Sequence, residues 1–351
     1  MRFSYATLPD HPIPQIIDAI ELADRLGFHG VYGADETFHK DCFQIFAAAA
    51  QRTTRIRFAP DLTHVILRDP TMIVQMMATL DELTDGRAEL IFSIGNFAML
   101  EQYHVGAEQM KRPLARMREA YHVMRTFLDE GTIDFEGEFY RYTGLFTSAR
   151  PVQERMPILL GAMRGPRSFE LAGEICDGMH QALGYSREAI QYAADHVRIG
   201  AERAGRDFAA QDVASWGVSC VAEDRDAARE CVRVLVAFYI PAMPKEQLER
   251  HAIGQAQVQP IFDAFGAGDV QRAIELTTPD LVAKLSFSGT PEDLVEQISL
   301  NVVPTGMQHV IFALCDPLLA EVWSGVGGHH GVPDLKGQLQ LIHDRVMPAF
   351  A

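Results

Sequence analysis

The chain has no Cys-x-x-Cys pair, no apolar run approaching the ~18 residues of a membrane span, and fewer basic than acidic residues. Each absence excludes something. The five cysteines, Cys42, Cys176, Cys220, Cys231 and Cys315, are odd in number and widely spread. Neither a zinc site nor a disulfide framework is signalled, no metal is expected, and a reducing compartment fits. With 31 Lys and Arg against 47 Asp and Glu, the formal charge is -16. A phosphate backbone or anionic membrane would be repelled over most of such a surface, so neither nucleic acid nor membrane is an expected partner. The opening Met1-Arg2-Phe3-Ser4 lacks an apolar signal core, and a cytoplasmic location is expected. H-E-x-x-H, G-x-S-x-G and the P-loop are missing, and no G-x-G-x-x-G turn follows the first strand. A dinucleotide-binding Rossmann reading therefore has little support.

What is present is an ordinary globular composition, 48% hydrophobic and 22% charged over 351 residues, enough for a large core. Short apolar runs alternate with amphipathic stretches, the pattern of βα units and a parallel sheet. Strands are expected at 3–7, 30–33, 55–60, 88–94, 157–161, 178–182, 214–221 and 308–314. Ile16, Ile17, Ile20, Ala23 and Leu26 share a helical face that Gly27 stops. Asp69-Pro70 opens another helix as N-cap and N1, with Ile73, Met76, Met77, Leu80 and Leu83 as its buried stripe. The rhythm breaks twice. Residues 132–147 alternate around a glycine turn and predict an inserted β-hairpin. Residues 241–285 predict an irregular, largely helical insertion. Eight strands with intervening helices predict a single (β/α)8 TIM barrel domain over 1–351, with a doubly wound open sheet as competitor.

A barrel of this kind collects its reacting groups at the C-terminal ends of the strands. The candidates are Asp35, Glu36 and His39 after strand two, and Asp61, Leu62, Thr63 and His64 after strand three. Gly95 and Asn96 follow strand four, and His180 and Gln181 fall on strand six. Each alone has a plain alternative as a cap, a turn residue or a satisfied polar contact. The run from Gly161 to Arg167 is more telling. Its glycines permit close backbone approach, Pro166 suits N1, and the following helix start offers free N–H groups to a phosphate beside Arg164 and Arg167. The alternative there is a loop with two solvated arginines. The adjacent His329 and His330 lie in a glycine-rich stretch and read as a loop.

Several spaced motifs then resemble the bacterial luciferase-like flavin and deazaflavin oxidoreductase superfamily, closest to its methylenetetrahydromethanopterin reductase-like branch. They are Ala23-Asp24-Arg25-Leu26-Gly27-Phe28 with Gly30-Val31-Tyr32, Ala59-Pro60-Asp61-Leu62-Thr63 with Arg68-Asp69-Pro70, and Ala78-Thr79-Leu80-Asp81-Glu82-Leu83-Thr84-Asp85-Gly86-Arg87. Gly165-Pro166-Arg167 with Asp177-Gly178, and Ser288-Gly289-Thr290-Pro291-Glu292-Asp293, complete the set. The resemblance implies a barrel with an insertion near strand seven and a deazaflavin cofactor, F420, with FMN as alternative. It places Asp35 near the deazaflavin and Asp61-Leu62 at a non-prolyl cis peptide under the ring. It places Thr63, His64, Ile94, Gly95 and Asn96 around the ring, and Ala162, Met163, Arg164, Gly165 and Pro166 at the phosphate. Acid–base work falls to Asp35, Glu36, His39 or His64, with His180 in reserve. Some sugar-phosphate-oxidising relatives carry histidine where this chain has Glu36 and glutamate where it has Asn96, so that reaction is not expected. The usual glycine at the cis-peptide position is Asp61 here. The expected activity is hydride transfer between the cofactor and a small organic substrate. The alternatives are an FMN-dependent monooxygenase and a non-catalytic flavin-binding protein. A homodimer is expected from fold analogy and from the apolar faces around Ile16–Ile20 and Ile73–Leu80.

Overall fold

The computed structural model describes residues 1–163 and 165–351, with the backbone alone at 97 and 98. β1 (Arg2–Thr7) leads to α1 (Ile13–Leu26), which Gly27 ends at φ 84°. β2 (Gly30–Gly33), α2 (Cys42–Ala50), β3 (Arg57–Pro60) and the two-residue β4 (Thr63–His64) follow. The Asp69 carboxylate accepts from the Thr71 N–H and caps α3 (Pro70–Leu83), as the Asp-Pro pair predicts. Next come β5 (Leu90–Ser93), α4 (Phe97–Gln102) and α5 (Pro113–Glu130). The expected hairpin is β6 (Thr132–Glu136) with β7 (Arg141–Phe146), antiparallel. β8 (Ile158–Ala162), α6 (Pro166–Ile175), β9 (Gly178–Ala182), α7 (Arg187–Arg203) and β10 (Asp212–Val221) resume the alternation.

Asp224 caps α8 (Arg225–Tyr239). The insertion beyond it is helical as expected: α9 (Lys245–Arg250), α10 (Gln255–Gly266), α11 (Val270–Leu276) and α12 (Pro279–Lys284). β11 (Phe287–Gly289), α13 (Pro291–Asn301), β12 (His309–Leu314), α14 (Pro317–Ser324) and α15 (Leu335–Leu341) complete the chain. Among the described residues, the very short β4 and β11 and the helices α4 and α14 lie outside the sequence reading.

The chain forms two compact units. One comprises Met1–His29, Gln181–Asp195 and Val213–Ala351. Within it β12 pairs in parallel with β1 and with β10, and β10 pairs with β11. Tyr5, Phe287 and Phe312 fill its interior, fully buried. The other comprises Gly30–His180 and His196–Asp212. Within it β2 pairs with β3, β4 with β5, and β5 with β8, all parallel, around buried Phe46, Phe58 and Phe92. Parallel strands alternating with helices make this the expected (β/α)8 class.

One of the two grounds for a homodimer falls away. Ile16, Ile20, Ile73 and Leu80 are all buried within the chain, so intrachain packing already explains their apolar character and it says nothing of a second subunit. All five cysteines are free and buried, and among the described residues no helix is long and apolar enough to cross a membrane.

Candidate active site

Parallel strands paired in register deliver the residues that follow them to one edge. Gly33 lies opposite Pro60, and the Asp61 N–H donates to the Gly33 carbonyl at 2.8 Å, so the loops after β2 and β3 leave side by side. Thr63 and His64 lie opposite Phe92 and Ser93, and Phe92 lies opposite Leu160. The stretches around 35, 62, 95 and 162 thus emerge together at the C-terminal edge, although they are far apart in sequence.

Asp35 is fully engaged there. Arg68 Nε donates to its Oδ2 at 2.9 Å, Arg68 Nη2 to its Oδ1 at 2.8 Å, and Thr63 Oγ1 to Oδ2 at 2.8 Å. A bidentate guanidinium fixes such a carboxylate in orientation. Glu36 and His64 form a second pair, with His64 Nε2 3.1 Å from Glu36 Oε1. This contact is out of hydrogen-bond alignment. Among the described residues neither nitrogen of the buried His64 ring has a hydrogen-bond partner, and Glu36 Oε2 has none either. Gly95 stands against this ring at φ 98°, and a Cβ there would lie 2.6 Å from His64 Nδ1. Only glycine suits both the conformation and the space. His39 sits in the turn above, its N–H bonded to the Glu36 carbonyl and its ring tilted on the exposed Phe38 at 4.5 Å.

The Asp61–Leu62 peptide is cis, as the resemblance implies despite aspartate in place of glycine. Leu62 reaches across to Gly161, where a Cβ would meet Leu62 Cδ2 at 2.4 Å. His180, on β9, places Nδ1 3.0 Å from Asp61 Oδ2, with side-chain exposures of 1% and 7% that leave the pair almost dry. Burial alone would lower the His180 pKa. The Asp61 carboxylate, with Asp212 and Glu89 further off, outweighs it and holds the imidazole above its ordinary value. Tyr32 packs edge-on against the His180 ring at 4.9 Å and donates its hydroxyl to Glu89, which also holds Arg57.

Ile94 is buried and Asn96 half-buried at the end of β5. Ala162 ends β8, Met163 follows, and Arg164 lies outside the described residues. Gly165, at φ 73°, is the N-cap of α6 and offers no side-chain cap, while Pro166 takes the first helical position. The first N–H groups of this helix therefore have no side-chain acceptor at the N-cap, the arrangement an anion uses. An imidazole whose nitrogens lack partners, a glycine cradle and an uncapped helix start together fit a ring-and-phosphate cofactor.

Sequence reasoning named most of these residues but not their pairing. Arg68 entered only as part of a motif, and nothing local marks it as the partner of Asp35. His180 was recognisable only as a polar residue on a strand.

Parallel strands alternating with helices, with buried polar pairs gathered at the C-terminal edge, are the arrangement of a (β/α)8-barrel enzyme. The luciferase-like monooxygenase family model matches residues 1–309, and the chain belongs to that family. It is 26% identical over 352 residues, 99% of each chain, to a 5,10-methylenetetrahydromethanopterin reductase of Archaeoglobus fulgidus. The structure of a coenzyme F420 dependent tetrahydromethanopterin reductase from Methanopyrus kandleri superposes with a TM-score of 0.87 at 26% identity, covering 100% of this chain and 99% of that one. An F420-dependent secondary alcohol dehydrogenase, 19% identical with a TM-score of 0.78 over 100% of this chain and 99% of that one, shares the fold.

Proposed function

We propose that this chain is an F420-dependent oxidoreductase that passes a hydride between the deazaflavin and a small organic substrate. The observation that carries the reading is the buried His64 ring, held against Gly95 and beside Glu36, with neither nitrogen hydrogen-bonded among the described residues. Buried polar groups are ordinarily satisfied, so a site built this way calls for a polar ligand to complete it. When bound, the deazaflavin supplies the hydride chemistry, and the protein supplies orientation, a phosphate anchor and proton handling.

In this reading Asp61, Leu62, Thr63, His64, Ile94, Gly95 and Asn96 surround the ring. Ala162, Met163, Gly165 and Pro166 hold the phosphate at the start of α6, with Arg164 beside it by resemblance. Asp35 is clamped by Arg68 and fixes Thr63 in place. Glu36, next to His64, moves the proton that accompanies the hydride, and His39 stands next in line towards solvent. The work is that of one barrel domain.

Titration of the purified chain with F420 and, separately, with FMN tests the reading. F420 is expected to bind saturably and tighter than FMN by about tenfold or more. Tight FMN binding with no F420 binding would make the chain an FMN-dependent monooxygenase instead. A 5,10-methylene-pterin is the first substrate to supply, because the relatives above are named for that chemistry.

The working unit is proposed to be a homodimer. Leu83, expected in the buried stripe of α3, is instead exposed at the last residue of the helix, and with the exposed Met72 it supplies outward apolar surface. Light scattering at micromolar concentration is expected to give twice the 39.0 kDa of one chain, and a particle of 39.0 kDa would refute the dimer.

A further inference from the structure

Asp61 stands where the resemblance leads one to expect glycine, and a carboxylate so deeply placed needs a reason. Its Oδ2 meets His180 Nδ1 at 3.0 Å, and both side chains are nearly inaccessible. His180 lies within β9, a regular strand, and is the rigid half of the contact. Asp61 lies in a loop and is followed directly by Leu62, Thr63 and His64, so where Asp61 is held decides where those residues sit. Leu62 is locked in turn over Gly161, and Thr63 is bonded to Asp35.

We propose that His180 and Asp61 form a buried ion pair that positions the 61–64 segment, so that the cofactor site keeps its shape only while His180 carries its second proton. His180 is thus a positioning residue. It acts through Asp61 on the groups that would surround the ring. This rests on the cofactor reading for one of its two readouts and not for the other.

The charge matters more than the hydrogen bond. A neutral imidazole still donates from Nδ1 to Asp61, but it leaves the buried carboxylate uncompensated, which is the costly state. The groups facing His180 are nearly all anionic or neutral: Asp61 after β3, Tyr32 on β2, Glu89 just before β5 and Asp212 at the start of β10. Glu89 is already paired with Arg57 and Tyr32. Deprotonation of His180 therefore leaves Asp61 without the cation that holds it. The sign follows from the raised His180 pKa. The pair's contribution is complete below the ordinary histidine range and is lost as pH rises through the higher folded value.

The test uses the full-length chain with Asp61→Asn, His180→Asn and the double variant. Asparagine keeps an N–H donor near the Nδ1 position but cannot be charged. The first readout needs no cofactor. The His180 ring signal, identified by its loss in His180→Asn, is followed by NMR against pH in the wild type and in Asp61→Asn. It is expected to titrate at lower pH once Asp61 is neutral, and an unchanged titration would overturn the pair. The second readout is the F420 dissociation constant against pH. In the wild type it is expected to rise as pH passes through the ring titration. In His180→Asn it should be flat with pH, about tenfold weaker than the wild type below the ring titration and close to the wild type above it. The double variant, with neither charge, should recover most of the lost affinity and stay flat. A His180→Asn variant with wild-type affinity and pH profile would refute the positioning role. Failure of the wild type to bind F420 would refute the cofactor reading and leave the ring titration to decide on the pair.

Discussion

Glu36→Gln is expected to lower the turnover number by roughly 10²–10⁴-fold while leaving KM and F420 affinity close to wild type, the range general acid–base catalysis contributes. The substitution keeps size and polarity and removes only the ability to take up and release a proton. Glu36 is placed for that task. One oxygen lies 3.1 Å from His64 Nε2, and the other is buried with no hydrogen-bond partner among the described residues. Asp35, its neighbour, cannot share the work, because Arg68 and Thr63 occupy both its oxygens. Two adjacent carboxyls thus stand in different surroundings, one clamped by Arg68 and Thr63 and the other left beside His64, and environment is what divides roles between like groups. A loss confined to kcat marks an interaction made in the transition state. Steady-state kinetics with F420 and substrate decide the matter. A turnover number within a factor of a few of wild type would remove Glu36 and move the proton to His64 or His39.

Asp81→Ala should destabilise the fold by about 3–4 kcal/mol, since it strips the acceptor from several buried donors at once. Asp81 is fully buried on α3. Its Oδ2 accepts the Val152 and Gln153 N–H groups at 2.8 and 3.0 Å, and its Oδ1 accepts from the Ala88 N–H at 3.1 Å and the Gln153 side-chain amide at 2.7 Å. One carboxylate therefore ties α3 to the start of the β5 region and to the segment leading into β8. Urea denaturation followed by circular dichroism measures the loss. Asp81→Asn, which keeps one acceptor, is expected to lose about half as much. A change below about 1 kcal/mol for Asp81→Ala would show that water or relaxation satisfies those donors.

This second case clarifies what the sequence motifs encode. The stretch from Ala78 to Arg87 belongs to the family resemblance, yet its residues do structural work. Besides Asp81, Arg87 donates to the Ile56 carbonyl at 2.8 Å and to Thr53 Oγ1 at 3.0 Å, closing the turn before β3. The motif therefore marks the fold and carries no chemistry. The resemblance held as a whole because a fold-wide set of such staples is harder to imitate by chance than one loop.

Elements were legible where the signal is local. Asp69 caps its helix as the Asp-Pro pair predicts, Asp224 and Thr290 cap theirs by the same local chemistry, and the alternation at 132–147 is a hairpin. The same Asp-Pro signature at Asp316-Pro317 opens α14, a helix outside the sequence reading although its cap is in plain view. β4 and β11 are different. Strands of two and three residues carry no periodicity, and only pairing to β5 and β10 makes them strands.

The sequence by itself determined the class of fold, the order of its strands and helices, and the short list of residues at the strand ends, because periodicity, caps and turn residues act within a few positions of one another. Only the tertiary structure decided which of those residues work together. Arg68 meets Asp35 across 33 positions and His180 meets Asp61 across 119. It is the in-register stacking of parallel strands that closes those distances, and no local pattern records which carboxylate will find a guanidinium and which an imidazole.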